Sequence, residues 1–165
     1  MVVSTSKGNI GEYLVMADLL YYGFDAYIGN RNNAAFDIAC WAKQTNRASR
    51  VRVKTTSNSS AAWTVKKSGE IFLDLQDNDD FVAIVDIAKG TRLRSTYIVP
   101  TIVVLECLQS DHAFYVSHAK KDGTPRKQEQ GMRNLCLHGE ERLTDRCYGY
   151  DKKFSKYLEA WDQLK

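Results

Sequence analysis

Two short segments each carry a charged side chain inside an apolar run, and this pattern constrains the fold more than any other feature of the chain. The first segment is residues 36–41, FDIACW, with Asp37 near its start. The second is residues 51–56, VRVKTT, with Lys54 near its centre. We interpret both as β-strands. Because an unpaired buried charge is costly, both charges need a partner or a function.

Length and composition are those of an ordinary globular chain. The 165 residues are 44% hydrophobic and 26% charged, with a net charge of +3. We expect one domain over 1–165, with a core at 7–100 and a C-terminal elaboration at 101–165. No apolar run approaches the roughly 20 residues of a membrane span. The N-terminus lacks signal-peptide features, so we expect no membrane association and a cytoplasmic location.

The four cysteines form no C-x-x-C pair. Cys40 and Cys107 lie in apolar runs and are expected to be small buried hydrophobes. Cys136, His138 and Cys147 are close enough in sequence to suggest a zinc site, but their spacing matches no common pattern. Free thiols in a reducing compartment are the better interpretation.

Residues from about 7 to 22 predict a helix that ends at Gly23. One apolar stripe at helical spacing comprises Ile10, Tyr13, Leu14, Ala17, Leu20 and Tyr21. A second apolar face comprises Val15, Met16 and Leu19, so we expect the helix to be largely buried. Glu12 projects from this apolar surface. It is either an acid favoured by the helix dipole or a functional carboxylate.

Apolar segments between turn signals predict the remaining elements. An antiparallel meander is expected at 24–28, 35–42 and 50–56, followed by strands at 61–65, 81–87, 95–99 and 113–116. The strand at 81–87 is apolar throughout and should be covered on both faces. Helices are expected from Pro100 to about 109 and from Asp151 onward. The fold class is α/β (α+β), a mixed central sheet flanked by helices.

The predicted strands bring charged side chains together. Arg52 and Lys54 share one strand face, because side chains alternate. A hairpin of the second and third strands can place Asp37 near Lys54, and Glu12 could reach the same place from the first helix. Two carboxylates and a lysine are what a metal-dependent phosphodiesterase requires. Carboxylates hold Mg²⁺, and the lysine orients water or neutralises developing charge.

The order of these residues resembles the PD-(D/E)XK nuclease superfamily. The resemblance rests on Gly11-Glu12, Asp37 and Val53-Lys54 in their elements, and covers residues 7–56 by motif. It implies a restriction endonuclease-like αβββαβ core, a DNA substrate and Mg²⁺ or Mn²⁺ as cofactor. By position it implies Glu12 and Asp37 as metal ligands, with position 52 as the third, and Lys54 as the catalytic lysine.

Position 52 departs from that family, because arginine has no oxygen to offer a metal. In one alternative, Arg52 and Lys54 form a salt-bridge network with Glu12 and Asp37 in a catalytically degenerate binding or protein-interaction module. In the other, Glu12, Asp37 and the Val53 carbonyl still hold one metal, and Arg52 contacts the scissile phosphate.

Basic and hydroxyl side chains near the site are candidate contacts for nucleic acid, and we expect that nucleic acid to be DNA. They are Arg50, Arg52, Thr55, Thr56, Lys66 and Lys67. A second basic stretch over 120–133 is either a further phosphate-binding surface or an ordinary solvated one. We expect Trp63 to pack in the core and Trp41 to pack under the first helix. Because edge strands of such sheets often pair, a homodimer is plausible.

Overall fold

The computed structural model describes residues 4–30, 35–58, 60–75, 78–126, 131–138 and 149–165. The helices are α1 (Ser4–Tyr21), α2 (Thr101–Ser117) and α3 (Tyr150–Lys153). The strands are β1 (Asp25–Ile28), β2 (Ile38–Ala42), β3 (Arg47–Thr56), β4 (Ser60–Thr64), β5 (Asp80–Asp86), β6 (Ser95–Pro100) and β7 (Met132–Cys136). Short 3₁₀ turns lie at Thr91–Leu93, Ser155–Tyr157 and Trp161–Leu164. No helix in these described ranges is long and apolar enough to cross a membrane.

The main sheet has five strands in the order β1-β2-β3-β5-β6. Strands β1, β2 and β3 form the predicted antiparallel meander, β5 runs parallel to β3, and β6 runs antiparallel to β5. All seven residues of β5 are buried, because helices and crossover segments cover the sheet centre on both faces. The prediction of a mixed α/β sheet flanked by helices is therefore confirmed.

The crossover from β3 to β5 differs from the αβββαβ pattern. Its described residues contain no helix. They contain β4, which pairs with the distant β7 in a separate two-stranded sheet. The crossover also carries Trp63 and Phe72, which are buried against Val82 and Ile84 of β5. These aromatic side chains cover the sheet face that a crossover helix would otherwise cover. The prediction that Trp63 packs in the core is confirmed.

Helix α1 buries a narrower face than its composition suggests. Val15 and Leu19 are fully buried, whereas Tyr13 is 61% exposed and Tyr21 is 85% exposed. The expectation that the helix is largely buried was wrong for the stripe that contains Tyr13, and the second apolar face is the buried one. The reason is the close approach of Gly11 to β3. A Cβ atom at position 11 would lie 1.8 Å from Thr55 Oγ1.

The two faces of the sheet carry different layers. Val15 and Leu19 of α1 pack with Val51 and Ala83 on one face. Helix α2, Trp63 and Phe72 pack on the other. Because Val51 faces α1, the alternating residues Arg52 and Lys54 face the second layer. Trp41 is 39% exposed, so the expectation that it packs under α1 was wrong.

The last third of the chain is less helical near its end than predicted. Helix α2 continues to Ser117, so the strand expected at 113–116 was wrong. Helix α3 has only four residues and gives way to 3₁₀ turns. Glu159 adopts φ 50°, and its backbone amide donates to the Thr96 carbonyl of β6. This pairing with β6 replaces the intrahelical bonds, yet it still buries Trp161 and Leu164.

Ion pairs attach β3 to the crossover that precedes β5. The Arg50 guanidinium binds both carboxylate oxygens of Asp80, each at 2.7 Å, and also binds Asp74. Asp80 is the parallel-strand partner of Arg50 and is buried. Arg47 contacts Asp79 and the Gln163 carbonyl. These bonds fix the parallel register of β3 and β5 at its first residue pair.

Substituting Gly11→Ala tests the close approach of α1 to β3. The new Cβ would overlap Thr55 and contact Val53 Cγ1 at 3.2 Å, so we expect a loss of about 1–3 kcal/mol in the free energy of unfolding. Urea denaturation measures it. The matched control is Gly8→Ala in the same helix, where no atom lies within 4 Å. It should leave stability unchanged or raise it by up to about 1 kcal/mol. An equal response of both variants would contradict this packing.

Candidate functional site

Asp37 lies directly before β2, and not inside the strand as the sequence suggested. Its backbone amide donates to the Val51 carbonyl at 3.0 Å. Its carboxylate accepts a 2.7 Å hydrogen bond from the Val53 amide. The side chain thus takes the place of the next backbone carbonyl of β2. In the described residues, the pairing of β2 with β3 stops at Ile38 and Val51, so the second half of β3 has an open edge.

Lys54 is partly buried on the face of β3 that carries the second layer. Its Nζ atom lies 5.4 Å from the centre of the Trp63 ring. Burial lowers the pKa of Lys54, and the nearby Asp37 charge partly offsets that effect. Burial raises the pKa of Asp37, and the Val53 amide, Arg52 and Lys54 oppose the rise. The structure therefore brings Asp37 and Lys54 within electrostatic reach of each other.

Glu12 approaches the same stretch of β3 from α1. It follows Gly11, whose close neighbours are Thr55 and Val53, and it is partly buried. Helix α1 lies on the sheet face opposite to Lys54, and the open edge of β3 is where the two faces meet. The Val53 amide points to this edge, and in an extended strand the carbonyl of a residue points to the same side as its amide. The structure thus brings the Asp37 carboxylate to the Val53 edge, and the convergence of Glu12 on the same point stays a prediction.

Arg52 contacts the crossover segment. Its Nη2 donates to the Leu73 carbonyl at 2.7 Å, and its guanidinium lies 5.4 Å from the centre of the Phe72 ring. Burial lowers the pKa of Arg52, and Asp37 counteracts this less than Asp80 does. These contacts draw the guanidinium toward residues 72–73. Nothing in the sequence pointed to the Leu73 carbonyl as a partner, because backbone acceptors carry no side-chain signature.

The other predicted substrate-binding residues differ in accessibility. Arg50 is held by Asp80 and Asp74, and the Thr55 hydroxyl is buried against Gly11. The Thr56 hydroxyl is buried and bonds Asn58. Lys66 and Lys67 are exposed on the turn after β4. Only this lysine pair presents its charge freely to solvent, and the predicted contacts of the whole set with DNA stay predictions.

His138 takes part in a cluster that sequence reasoning missed. Its Nε2 lies 2.6 Å from Asp86 Oδ2, and its Nδ1 lies 3.2 Å from Asp151 Oδ2. Burial alone would lower the pKa of His138, but the hydrogen bonds and charges of Asp86 and Asp151 raise it above its ordinary value. The two carboxylates are 65 residues apart in sequence on different elements, so no local spacing indicated the cluster.

The zinc-site hypothesis gains no support in the described part of the chain. Cys40, Cys107 and Cys136 are buried free thiols, as expected for the first two. No group of three or more His, Cys, Asp or Glu side chains suited to a metal occurs among the described residues. Cys147 lies outside them.

Comparisons with known proteins relate this chain to a nuclease by fold alone. No protein-family model matches the sequence, and no curated protein matches it. Among solved structures, a bacterial homing endonuclease matches with a TM-score of 0.50 and 16% identity. The match covers 98% of this chain and 92% of that one. The chain therefore has a nuclease-like fold. Its placement in the PD-(D/E)XK superfamily stays a prediction.

The His138 cluster predicts a pH-dependent contribution to stability. Because the folded-state pKa is raised, the contribution is complete below the ordinary pKa of 6.5 and is lost as pH rises through the folded value. Urea unfolding from about pH 6 to about pH 9 should show His138→Gln costing most at the acidic end. When both proteins also carry Asp86→Asn, the difference in unfolding free energy caused by His138→Gln should lose most of its pH dependence. A constant difference across the range would refute the ion-pair interpretation.

Proposed function

We propose that this protein is a metal-dependent phosphodiesterase that cleaves DNA at the open edge of β3. One observation carries the proposal. The Asp37 carboxylate is fixed on the Val53 amide and lies within electrostatic reach of the Lys54 ammonium, on a chain with a nuclease-like fold. A held carboxylate beside a partly desolvated lysine is the minimal arrangement for binding and polarising a phosphodiester.

The donor atoms at this edge suit one hard cation. Mg²⁺ prefers oxygen ligands and is commonly held by one or two carboxylates together with substrate phosphates. Asp37, Glu12 and the Val53 carbonyl are the groups that would hold it. When bound, the ion would polarise the phosphoryl oxygen and favour deprotonation of water. Arg52 supplies no oxygen, so the proposed site relies on two carboxylates.

The residues of the chain itself have separate roles in this proposal. The Val53 amide fixes the orientation of Asp37, which reduces the reorganisation needed when substrate binds. Lys54 would donate to a phosphate oxygen or to the attacking water, and its lowered pKa makes proton exchange at Nζ easier. Trp63 and Phe72 limit water on the Lys54 side and strengthen electrostatic interactions there. The exposed Lys66 and Lys67 would contact phosphates farther along the strand.

A second function is a nucleic-acid-binding or protein-interaction module without catalysis. The observation that favours it is Arg52, a cation at the position where the resembling family has an acid. Such a module would bind DNA in a salt-sensitive manner and leave it intact.

Plasmid nicking separates the two functions. We expect the purified protein to nick supercoiled plasmid with Mg²⁺ or Mn²⁺, and to lose the activity in EDTA. Asp37→Asn keeps the acceptor for the Val53 amide but removes the charge, and Lys54→Met removes the ammonium. Each should reduce the nicking rate by about 10²-fold or more.

The matched controls are the same changes at an exposed ion pair of the sheet. Asp25 and Lys43 lie 2.9 Å apart with side chains 42% and 65% exposed. Asp25→Asn and Lys43→Met should nick at the wild-type rate. Nicking that survives both Asp37→Asn and Lys54→Met would refute the active-site assignment.

The Arg52→Glu substitution tests the role of the missing acid. It places a third carboxylate on β3 next to the Asp37 edge, so we expect Mn²⁺ to bind this variant at least about 10-fold more tightly than wild type. Titration calorimetry measures the affinity. A binding module predicts salt-sensitive DNA retention, no nicking and no metal binding by wild type, with metal binding gained by the variant. Equal metal affinities would exclude a third-ligand position at residue 52.

A further inference from the structure

A cavity of about 650 Å³ lies between the 65–75 segment, α2 and β7, apart from the Asp37–Lys54 edge. Apolar side chains from two sides line it, with Ile71 and Phe72 from the crossover segment and Leu105 from α2. Gln109 and His112 of α2 add polar groups. A cavity of this size and mixed lining is within the range that small organic ligands occupy.

Arg133 lines the cavity from an inward-facing position of β7. Its cross-strand partner is Trp63, and the neighbouring inward pair is Ala61 with Leu135. All three of these neighbours are buried in the core. Arg133 therefore lies in the same core-facing row of side chains as these three residues, but it carries a fixed positive charge. Burial lowers the pKa of Arg133, and no neighbouring charge contributes to that shift.

Arg133 also differs from the other partly buried arginines of the described chain. Each of those has a carboxylate, carbonyl or aromatic partner, as seen for Arg47, Arg50, Arg52, Arg94 and Arg126. Among the described residues, Arg133 has no hydrogen bond, ion pair or ring contact. A partly buried guanidinium without a partner is unfavourable, so its presence in a cavity wall calls for an anion.

The carboxylates that line the cavity do not meet this need. Asp74 is bound by Arg50 at 2.8 Å. Glu70 is exposed, and it accepts a 2.9 Å hydrogen bond from the Ser68 hydroxyl. Both acids belong to the outer part of the crossover segment, and neither pairs with Arg133. Within the described ranges, the fork-shaped donor set of Arg133 is thus open to a ligand from solvent.

We propose that this cavity binds a small organic anion, a carboxylate or phosphate monoester with an apolar or aromatic body. Arg133 binds the anionic group with two parallel N–H donors, the geometry that guanidinium offers to carboxylate and phosphate. Ile71, Phe72 and Leu105 hold the apolar body. This site is separate from the proposed phosphodiesterase site and stands whether or not the protein cleaves DNA.

Titration calorimetry on the full chain with a matched pair of probes tests the proposal. 2-Naphthoate carries the anion and an aromatic body, and 2-naphthalenemethanol is its neutral analogue. We expect wild type to bind naphthoate about 10- to 100-fold more tightly than the alcohol. Arg133→Gln should remove this preference and leave the affinity for the alcohol unchanged. Arg92→Gln, at an exposed arginine of the Thr91–Leu93 turn, should behave as wild type.

Thermal unfolding provides a readout that does not depend on calorimetry. Removing a partly buried unpaired charge should leave the melting temperature of Arg133→Gln equal to or above that of wild type without ligand. Naphthoate should raise the melting temperature of wild type and not that of the variant. A large destabilisation of Arg133→Gln without ligand would mean that Arg133 is structural, and would overturn the proposal.

One further probe and one further variant identify the source of the anion. Thymidine 5′-monophosphate binding more tightly than naphthoate, with loss in Arg133→Gln, would support the anion site and identify a nucleotide as its ligand. Ala113→Phe, which fills the cavity from α2, should weaken every one of these probes. Equal binding of naphthoate by wild type and Arg133→Gln, or no binding of either anion at millimolar concentration, would refute the proposal.

Discussion

The hydrogen bond from the Val53 amide to the Asp37 carboxylate is the interaction on which the candidate site depends. It substitutes a side chain for the backbone of β2 at the point where β2 stops pairing with β3. Among the residues that the structure describes, the second half of β3 is then open on one edge, which is rare for a central strand because unpaired backbone groups are costly. On the sheet face that carries α1, Gly11 lies directly against Thr55 of the same stretch of β3. The candidate site and the packing of α1 therefore use the same part of β3.

Strand β3 is rich in cations, and its stability in a central position follows from the acidic segment before β5. Arg47 donates to Asp79, Arg50 to Asp80 and Asp74, and Arg52 to the Leu73 carbonyl. The acidic segment before β5 thus neutralises the positive charges of β3, the strand with which β5 pairs. Arg50 and Arg52, which the sequence suggests as DNA contacts, instead form hydrogen bonds within the protein. A DNA surface would depend on Lys54 and on exposed lysines of the crossover.

The crossover also links the two proposed sites. Phe72 lies under Arg52 on one side and lines the Arg133 cavity on the other. Trp63 lies near Lys54 and is the cross-strand partner of Arg133. In a nuclease-like fold, this crossover, which has no helix in its described residues, is where the chain departs from the expected αβββαβ pattern, and both candidate sites use its side chains.

The sequence by itself determined the strand order of the meander, the doubly covered β5 and the candidate residues Glu12, Asp37 and Lys54, because local periodicity and turn signals encode those features. Only the tertiary structure decided which face of α1 is buried, since two apolar faces compete and the close approach of Gly11 selects one. It also decided the direction of Arg52, the His138 cluster and the isolation of Arg133. Those features depend on contacts between residues far apart in sequence and on backbone acceptors, neither of which leaves a local pattern.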